Sequence, residues 1–319
     1  MSTVNKAEIL FLYDLSWGNP NGDPNDENKP RVDSETGINI VTDVRLKRTV
    51  RDDLDQKGYD ILVKDTLKDD GSLADGKHRG TDFMPESAKE KVKKQKDKAV
   101  LTQEELNEFK ENVLKCIDIR MFGCVLPSDA KNASLQFTGP VQFKMGYSMH
   151  PVKVELIKGT GAFASGEGKD QKTFRQEFVV PYSLINFYGI VNSRAAEITG
   201  LTNSDVKILL NSIWHGTKNL ITRTKAGQMP RVLLHVGYKE KDFYIGELDK
   251  KVEFAYSMVG ESLRKVSDGV LKFEKLIKIL TDNKDKIESV SLAIDSEVRS
   301  DVNLADELQK ANIIVNIIA

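Results

Sequence analysis

The chain has 319 residues, 39% hydrophobic and 30% charged, which is enough to build a core of one or two domains and stay soluble. Its 47 basic and 48 acidic residues leave a formal net charge of -1. That excludes a global basic excess as a route to nucleic acid, so any such site must come from local clustering. Cys116 and Cys124 exclude a disulfide scaffold or a cysteine zinc set and point to a reducing cytosol.

The apolar run Ile9 to Leu12 is too short for a signal-peptide core or a membrane span. Residues 7–17 instead predict a central strand. The stretch 13–33 (YDLSWGNPNGDPNDENKPRVD) then packs three prolines, two glycines and four asparagines, the chemistry of turns. Residues 39–54 predict a helix with Thr42 as N-cap and Asp43 in the first turn. Residues 64–100 are almost wholly polar and predict an exposed, partly mobile insertion, closed by a helix over 102–117 with Thr102 and Glu105 as a capping box. Strands are predicted over 134–147, 150–159, 177–192, 230–238 and 288–295, with a Gly-rich hairpin or loop at 160–176. Amphipathic helices are predicted over 202–221, where Val206, Leu209, Leu210, Ile213 and Trp214 share a face, and over 269–287. The apolar C-terminal segment predicts a docked final strand. The element order implies an α+β fold: one antiparallel sheet with helices on one face, compatible with a β-α-β-β-α-β ferredoxin-like core carrying insertions.

Several motifs fail on named positions. GSLADGKH at 71–78 has P-loop spacing, but His78 stands where magnesium binding needs Ser or Thr. GTGAFASGEG lacks the dinucleotide spacing. A calcium loop starting at Asp23 puts Asn28 at the turn glycine and Ser34 at the bidentate glutamate. The four histidines stand in unrelated contexts, and no metal or cofactor is expected.

The helix over 42–54 carries the most information. Leu46, Val50 and Leu54 fall on one stripe, and Arg45, Lys47, Arg48 and Arg51 on the opposite arc, with no i+4 acidic partner expected among them. The residues leave two readings open: a solvated charged face, or a phosphate-tracking surface helped by the helix N-terminus. Arg223, Lys225 and Arg231 cluster around a turn after a helix, and Phe163, Phe174, Lys169, Lys172 and Arg175 lie on the hairpin. Those aromatics suit either base stacking or ordinary packing at the hairpin base.

The stretch 18–52 (GNPNGDPNDENKPRVDSETGINIVTDVRLKRTVRD) resembles the N-terminal signature of the type I CRISPR backbone subunit, the repeated guide-RNA-binding protein of Cascade, in its subtype B and C branches. DIRMFG (118–123), TGPVQF (138–143), SMHPV (148–152), VVPYSLINFYGIVN and AAEITGLTNSD are similar to later signatures in the same order. The resemblance runs from residue 7 to about 240; residues 64–100 and the last 70 or so match loosely.

The resemblance implies a single RRM-like palm spanning 1–319, with finger-like and thumb insertions at about 57–117 and 159–176. It implies a cytoplasmic, non-catalytic RAMP-superfamily protein that coats crRNA as a head-to-tail filament of identical copies. The other implied partners are further Cascade subunits and the target DNA strand paired to the guide, with no membrane. Carried onto this sequence, Arg45, Lys47, Arg48 and Arg51 would grip guide phosphates, and Asn19, Asn21 and Gly22 would border the RNA. Gln136 and Gln142, near Gly139-Pro140, would line the palm. Phe163, Lys172, Arg175, Arg223 and Lys225 would add contacts, and Arg120 is either structural or in reach of the backbone. Near-neutral charge suits complementary faces in a filament. The competing expectation is a metal-dependent ribonuclease using loop aspartates Asp23, Asp26 or Asp33; a plain assembly protein is the third.

Overall fold

The first apolar run forms β1 (Ala7–Gly18), and a computed structural model shows why it has no polar alternation. The structure describes residues 4–68, 70–95, 98–164 and 172–318, except the side chains of 160–164 and 172–175. Ile9, Phe11, Tyr13 and Leu15 pack into one core, and Leu10 and Leu12 into another on the opposite face. A strand buried on both sides needs apolar residues at every position.

After β1 come β2 (Gly22–Asp23), β3 (Lys29–Pro30), β4 (Ile38–Val41) and α1 (Asp43–Gln56). An inserted segment holds α2 (Gly76–Asp82), α3 (Glu86–Gln95), α4 (Gln103–Lys115), α5 (Ile117–Phe122), β5 (Gly123–Leu126) and β6 (Leu135–Thr138). The chain returns through β7 (Val141–Phe143), β8 (Gly146–Pro151), β9 (Glu155–Ala164), β10 (Lys172–Val191), α6 (Ser193–Thr199), α7 (Asn203–Lys218) and β11 (Met229–Tyr238). It closes with β12 (Glu253–Ala255), β13 (Val270–Lys272), α8 (Glu274–Asp282), β14 (Ile287–Ile294), α9 (Leu304–Lys310) and β15 (Val315–Ile317).

The fold is α+β around a large mixed sheet, ordered β15-β14-β11-β1-β10-β8-β4, with β7 and β9 also paired to β10. Its pairs are antiparallel except β14 with β15, so the expected purely antiparallel sheet is corrected at its last strand. The helix expected over 39–54 begins later: Ile38, Ile40 and Val41 pair with β8 before Thr42 opens α1. The helix expected over 269–287 is likewise split into β13 and α8.

α1 and α7 cover one face of the sheet, burying Leu46, Val50 and Leu54 with Val206, Leu209, Leu210 and Ile213. The other face is also covered, by the segment that brings Leu248, Phe254, Leu271, Phe273, Leu276, Leu304 and Leu308 against β1, β10 and β11. Glu8, fully buried, pins that cover to the sheet. It accepts from the hydroxyls of Tyr188 and Tyr238, and from the Ile245 and Gly246 N–H groups at 2.9 Å each. Four donors offset the cost of a buried carboxylate.

The insertion has a third core of its own, with Leu62, Met84, Ala88, Phe109, Val113, Ile119, Leu126 and Leu135. The polar run 64–100 is mostly exposed, as expected, but it is not coreless: Met84, Ala88 and Ala99 are buried in this third core, whose remainder comes from Leu62, α4, α5 and the β5–β6 region. The capping box of Thr102 and Glu105 is present, and Glu105 also takes Ser87 Oγ and Lys91 Nζ, both at 2.8 Å, tying α3 to α4.

Candidate nucleic-acid interface

The Pro/Gly/Asn stretch after β1 is a folded hairpin rather than a free loop. Asp23 O accepts from the Asn28 N–H at 2.8 Å, and a Cβ on Gly22 would lie 2.0 Å from Asn28 Oδ1. Asn19 is buried and donates from Nδ2 to Asn28 O at 2.7 Å. Asn21 Oδ1 accepts from both the Thr42 N–H and the Thr42 hydroxyl, each at 2.8 Å. Thr42 does stand at the N-cap of α1, but its hydroxyl serves Asn21 instead of the helix. The loop is thereby fastened to the start of the basic helix.

The loop carboxylates are occupied. Asp23 pairs with Arg31 and Asp26 with Lys29, while Asp33 takes the Thr36 hydroxyl at 2.6 Å and the Glu35 N–H at 3.0 Å.

The cations of α1 do not form one open arc. At 100° per residue Arg45 and Lys47 flank Leu46 rather than oppose it. Lys47, its side chain 11% exposed, pairs with Asp43 at 2.9 Å and reaches Gln142 Oε1 at 3.3 Å. Arg51, 14% exposed, pairs with the buried Asp118 at 3.0 Å and lies over the Phe122 ring. Arg48 is the outward cation, 46% exposed, and pairs with Asp52 at 2.7 Å. The expectation that these charges lack acidic partners is corrected: Asp43, Asp52 and Asp118 supply them.

Arg45 differs. Its guanidinium donates to Thr49 Oγ1 at 3.0 Å and has no ion pair among the described residues. Burial holds its pKa below the ordinary arginine value. Lys225, half-buried on the turn after α7, has no ion pair or side-chain hydrogen bond among the described residues either. Burial lowers its pKa, and the Arg45 charge lowers it further. The two cations are thus partly desolvated and repel each other, with Asp52 acting on Arg45 in the opposite sense. The turn that carries Lys225 is locked to the loop: Asn19 N–H donates to Thr224 O at 2.8 Å.

The other expected residues lie apart from this pair. Gln142 donates to Gly139 O at 2.9 Å; Gln136 is exposed on β6, in the insertion. Arg223 pairs with Glu177. Arg120 gives Nε and Nη2 to Asp205 and Nη1 to the carbonyls of Leu114 and Lys115, which joins α5 to α7. The hairpin tip 165–171 and the side chains of Phe163, Lys172 and Arg175 lie outside the described residues.

The sequence pattern of the family described as CRISPR-associated protein Cas7 matches residues 5–274. The chain belongs to the Cas7 family. A Cas7 protein of Haloferax volcanii is 33% identical over 331 aligned positions, which cover 98% of this chain and 93% of that protein. Two chains from solved CRISPR RNA-guided surveillance complexes, the first of them pre-nicking, share the fold. Their TM-scores are 0.56 and 0.51 at 13% and 15% identity, with 97% of this chain and 99% of each of those covered.

In this Cas7 chain eight of the expected residues thus fall into three settings, apart from Arg48, Arg120, Gln136 and Arg223. Asn19, Asn21 and Gly22 shape the loop; Arg45 and Lys225 repel each other and form no ion pair among the described residues; Lys47 and Arg51 lie over Phe122, with Gln142 accepting from Lys47. Two residues that sequence reasoning passed over matter to this geometry. Asp118 is fully buried and holds Arg51 together with the Leu62 and Val63 N–H groups. Its sequence signal was its place in DIRMFG, which gave no hint of partners in α1. Trp17 stands exposed beside the loop. Among the described residues no group of three or more His, Cys, Asp or Glu side chains is placed to hold a metal, and no helix is long and apolar enough to cross a membrane.

Proposed function

We propose that this Cas7 chain is a non-catalytic crRNA-binding backbone subunit of a type I Cascade complex. It polymerises head to tail along the guide in the cytoplasm and presents it for pairing with target DNA. The observation that carries this is the Arg45–Lys225 pair, two partly desolvated cations that interact repulsively and form no ion pair among the described residues, on a loop-and-turn seam built around the family signature. Phosphate supplies the missing charge whatever the base, as a subunit that accepts any guide requires.

The side-by-side order β11-β1-β10-β8, with α1 following β1 and α7 following β10, supports an RRM-like palm. The separate core of the insertion supports a finger, and the β9–β10 arm a thumb at 159–176. Both faces of the sheet are packed, so the RNA path in this reading follows the seams and edges, not the open sheet face that RRM domains use. The ion pairs of Asp23 and Asp26 and the hydrogen bonds of Asp33 support the non-catalytic assignment over a loop-aspartate ribonuclease.

The test is purification with and without co-expressed guide RNA, followed by binding titrations over a salt series. The wild type should carry nucleic acid. Arg45→Ala with Lys225→Ala should weaken binding evenly across sequences and flatten the salt slope by about one to two units. An unchanged affinity and slope overturns the assignment of the pair. RNA cleavage with a divalent metal, lost on Asp23→Ala, overturns the non-catalytic reading.

A further inference from the structure

Trp17 is 58% exposed, and its φ is +49°, a backbone conformation a bulky side chain rarely adopts. The register places it at a break in the ladder. Ser16 lies opposite Tyr182 and Gly18 opposite Val180, so Trp17 stands across from Pro181, which has no N–H to give. The ladder breaks there, and the indole, at the end of the buried row of Tyr13 and Leu15, is left in water. Trp214, the other tryptophan, packs against the core.

The position is tied to the cationic seam. A Cβ on Gly18 would lie 2.7 Å from Thr224 O, the carbonyl that also accepts from the Asn19 N–H. Thr224 sits between Arg223 and Lys225 in the chain. The strained, solvent-facing indole is therefore one residue away from the contact that positions Lys225. Single-stranded nucleic acid is held by this combination: cations track the backbone while an aromatic face stacks a base, whatever its identity. Strain kept at an exposed site is a pointer to function.

We infer that Trp17 is a stacking platform for a nucleobase of the strand whose phosphate sits at Arg45 and Lys225. The inference rests on the RNA-binding reading above. It is tested with the full chain and a single-stranded oligouridine probe. In a Trp214→Phe background Trp17 is the sole indole, and its emission should be quenched as the probe saturates. Trp17→Gly, made in the otherwise wild-type chain, should bind about ten-fold more weakly with the salt slope unchanged, because stacking releases no counterions. Glycine suits the backbone at this position, so the fold should survive, and Trp17→Phe should recover most of the affinity. Wild-type affinity in Trp17→Gly, or an unquenched indole while the probe binds, overturns the inference and leaves RNA binding standing. An indole emission that shifts with protein concentration in the absence of probe also overturns it, assigning Trp17 to a contact between copies. A wild type that fails to bind the probe removes the RNA-binding reading and the inference together.

Discussion

Asn21 accepts two hydrogen bonds from Thr42 through a single carbonyl oxygen, both at 2.8 Å. This contact joins the Pro/Gly/Asn loop to the first turn of α1. Asn21→Ala leaves the Thr42 N–H and hydroxyl without their partner, at a cost of about 1–3 kcal/mol. Asn21→Asp keeps the acceptor and should restore most of that. Urea unfolding of the three proteins checks it; equal midpoints would mean that water replaces the side chain fully.

Arg45 and Lys225 set stability against binding. Asp52 offsets part of the cost at Arg45, whereas Lys225 has no acidic group acting on it and lies under the added repulsion of Arg45, so its charge raises the free energy of the empty fold. Lys225→Met should therefore raise the stability of the free protein by about 0.5–1 kcal/mol, the scale of surface-charge optimisation, while weakening RNA binding. Thermal unfolding of protein freed of nucleic acid, set beside a binding titration, reads both. A loss of stability would show that the ammonium has a favourable partner in the fold.

His150 gives the fold an acid sensitivity. It is buried against Tyr182, its ring centroid 5.3 Å from the tyrosine's. Nδ1–H donates to Pro151 O at 2.9 Å, and Nε2 accepts from the Leu184 N–H at 3.2 Å, so the ring is neutral. Burial lowers its pKa below the ordinary histidine value. The unfolded chain then takes up a proton that the folded chain refuses. Stability is fully present above about pH 6.5 and falls with decreasing pH towards the folded pKa, by at most about 1.4 kcal/mol per pH unit. His150→Gln offers a donor and an acceptor without titrating, and should reduce that slope. Denaturation midpoints between neutral and mildly acidic pH measure the difference.

Local pattern carried the parts of this fold that are local. The 3.6-residue period placed Leu46, Val50 and Leu54 in the core, and Thr102 with Glu105 marked the start of α4. Distant partners were not legible. Arg51 looked free because Asp118 lies 67 positions away, and Arg120 looked available because Asp205 lies 85 positions away. Lys47 differs: its partner Asp43 sits one turn before it, where the forward i+4 spacing does not register it. The cover on the second sheet face was legible only at α8, whose amphipathic period is readable; the short irregular pieces around Leu248, Phe254 and Leu271 carry no clear period. Trp17 was invisible as a special position because its break in the ladder lies opposite Pro181, 164 positions away on the neighbouring strand.

β10 is one strand by chain but two by cooperativity. Residues 182–191 run between β1 and partners on the other side, inside two packed cores, and can open only with the whole sheet. Most of 172–179 is bonded through β9 alone, and a two-stranded ribbon has little stability of its own. Pro181 stands at the junction and has no N–H to give to a neighbouring strand. The described outer part therefore rests on the β9 pairing, the Arg223–Glu177 ion pair and Lys29 against Phe178, so a substitution there costs the sheet beneath far less than one in 182–191.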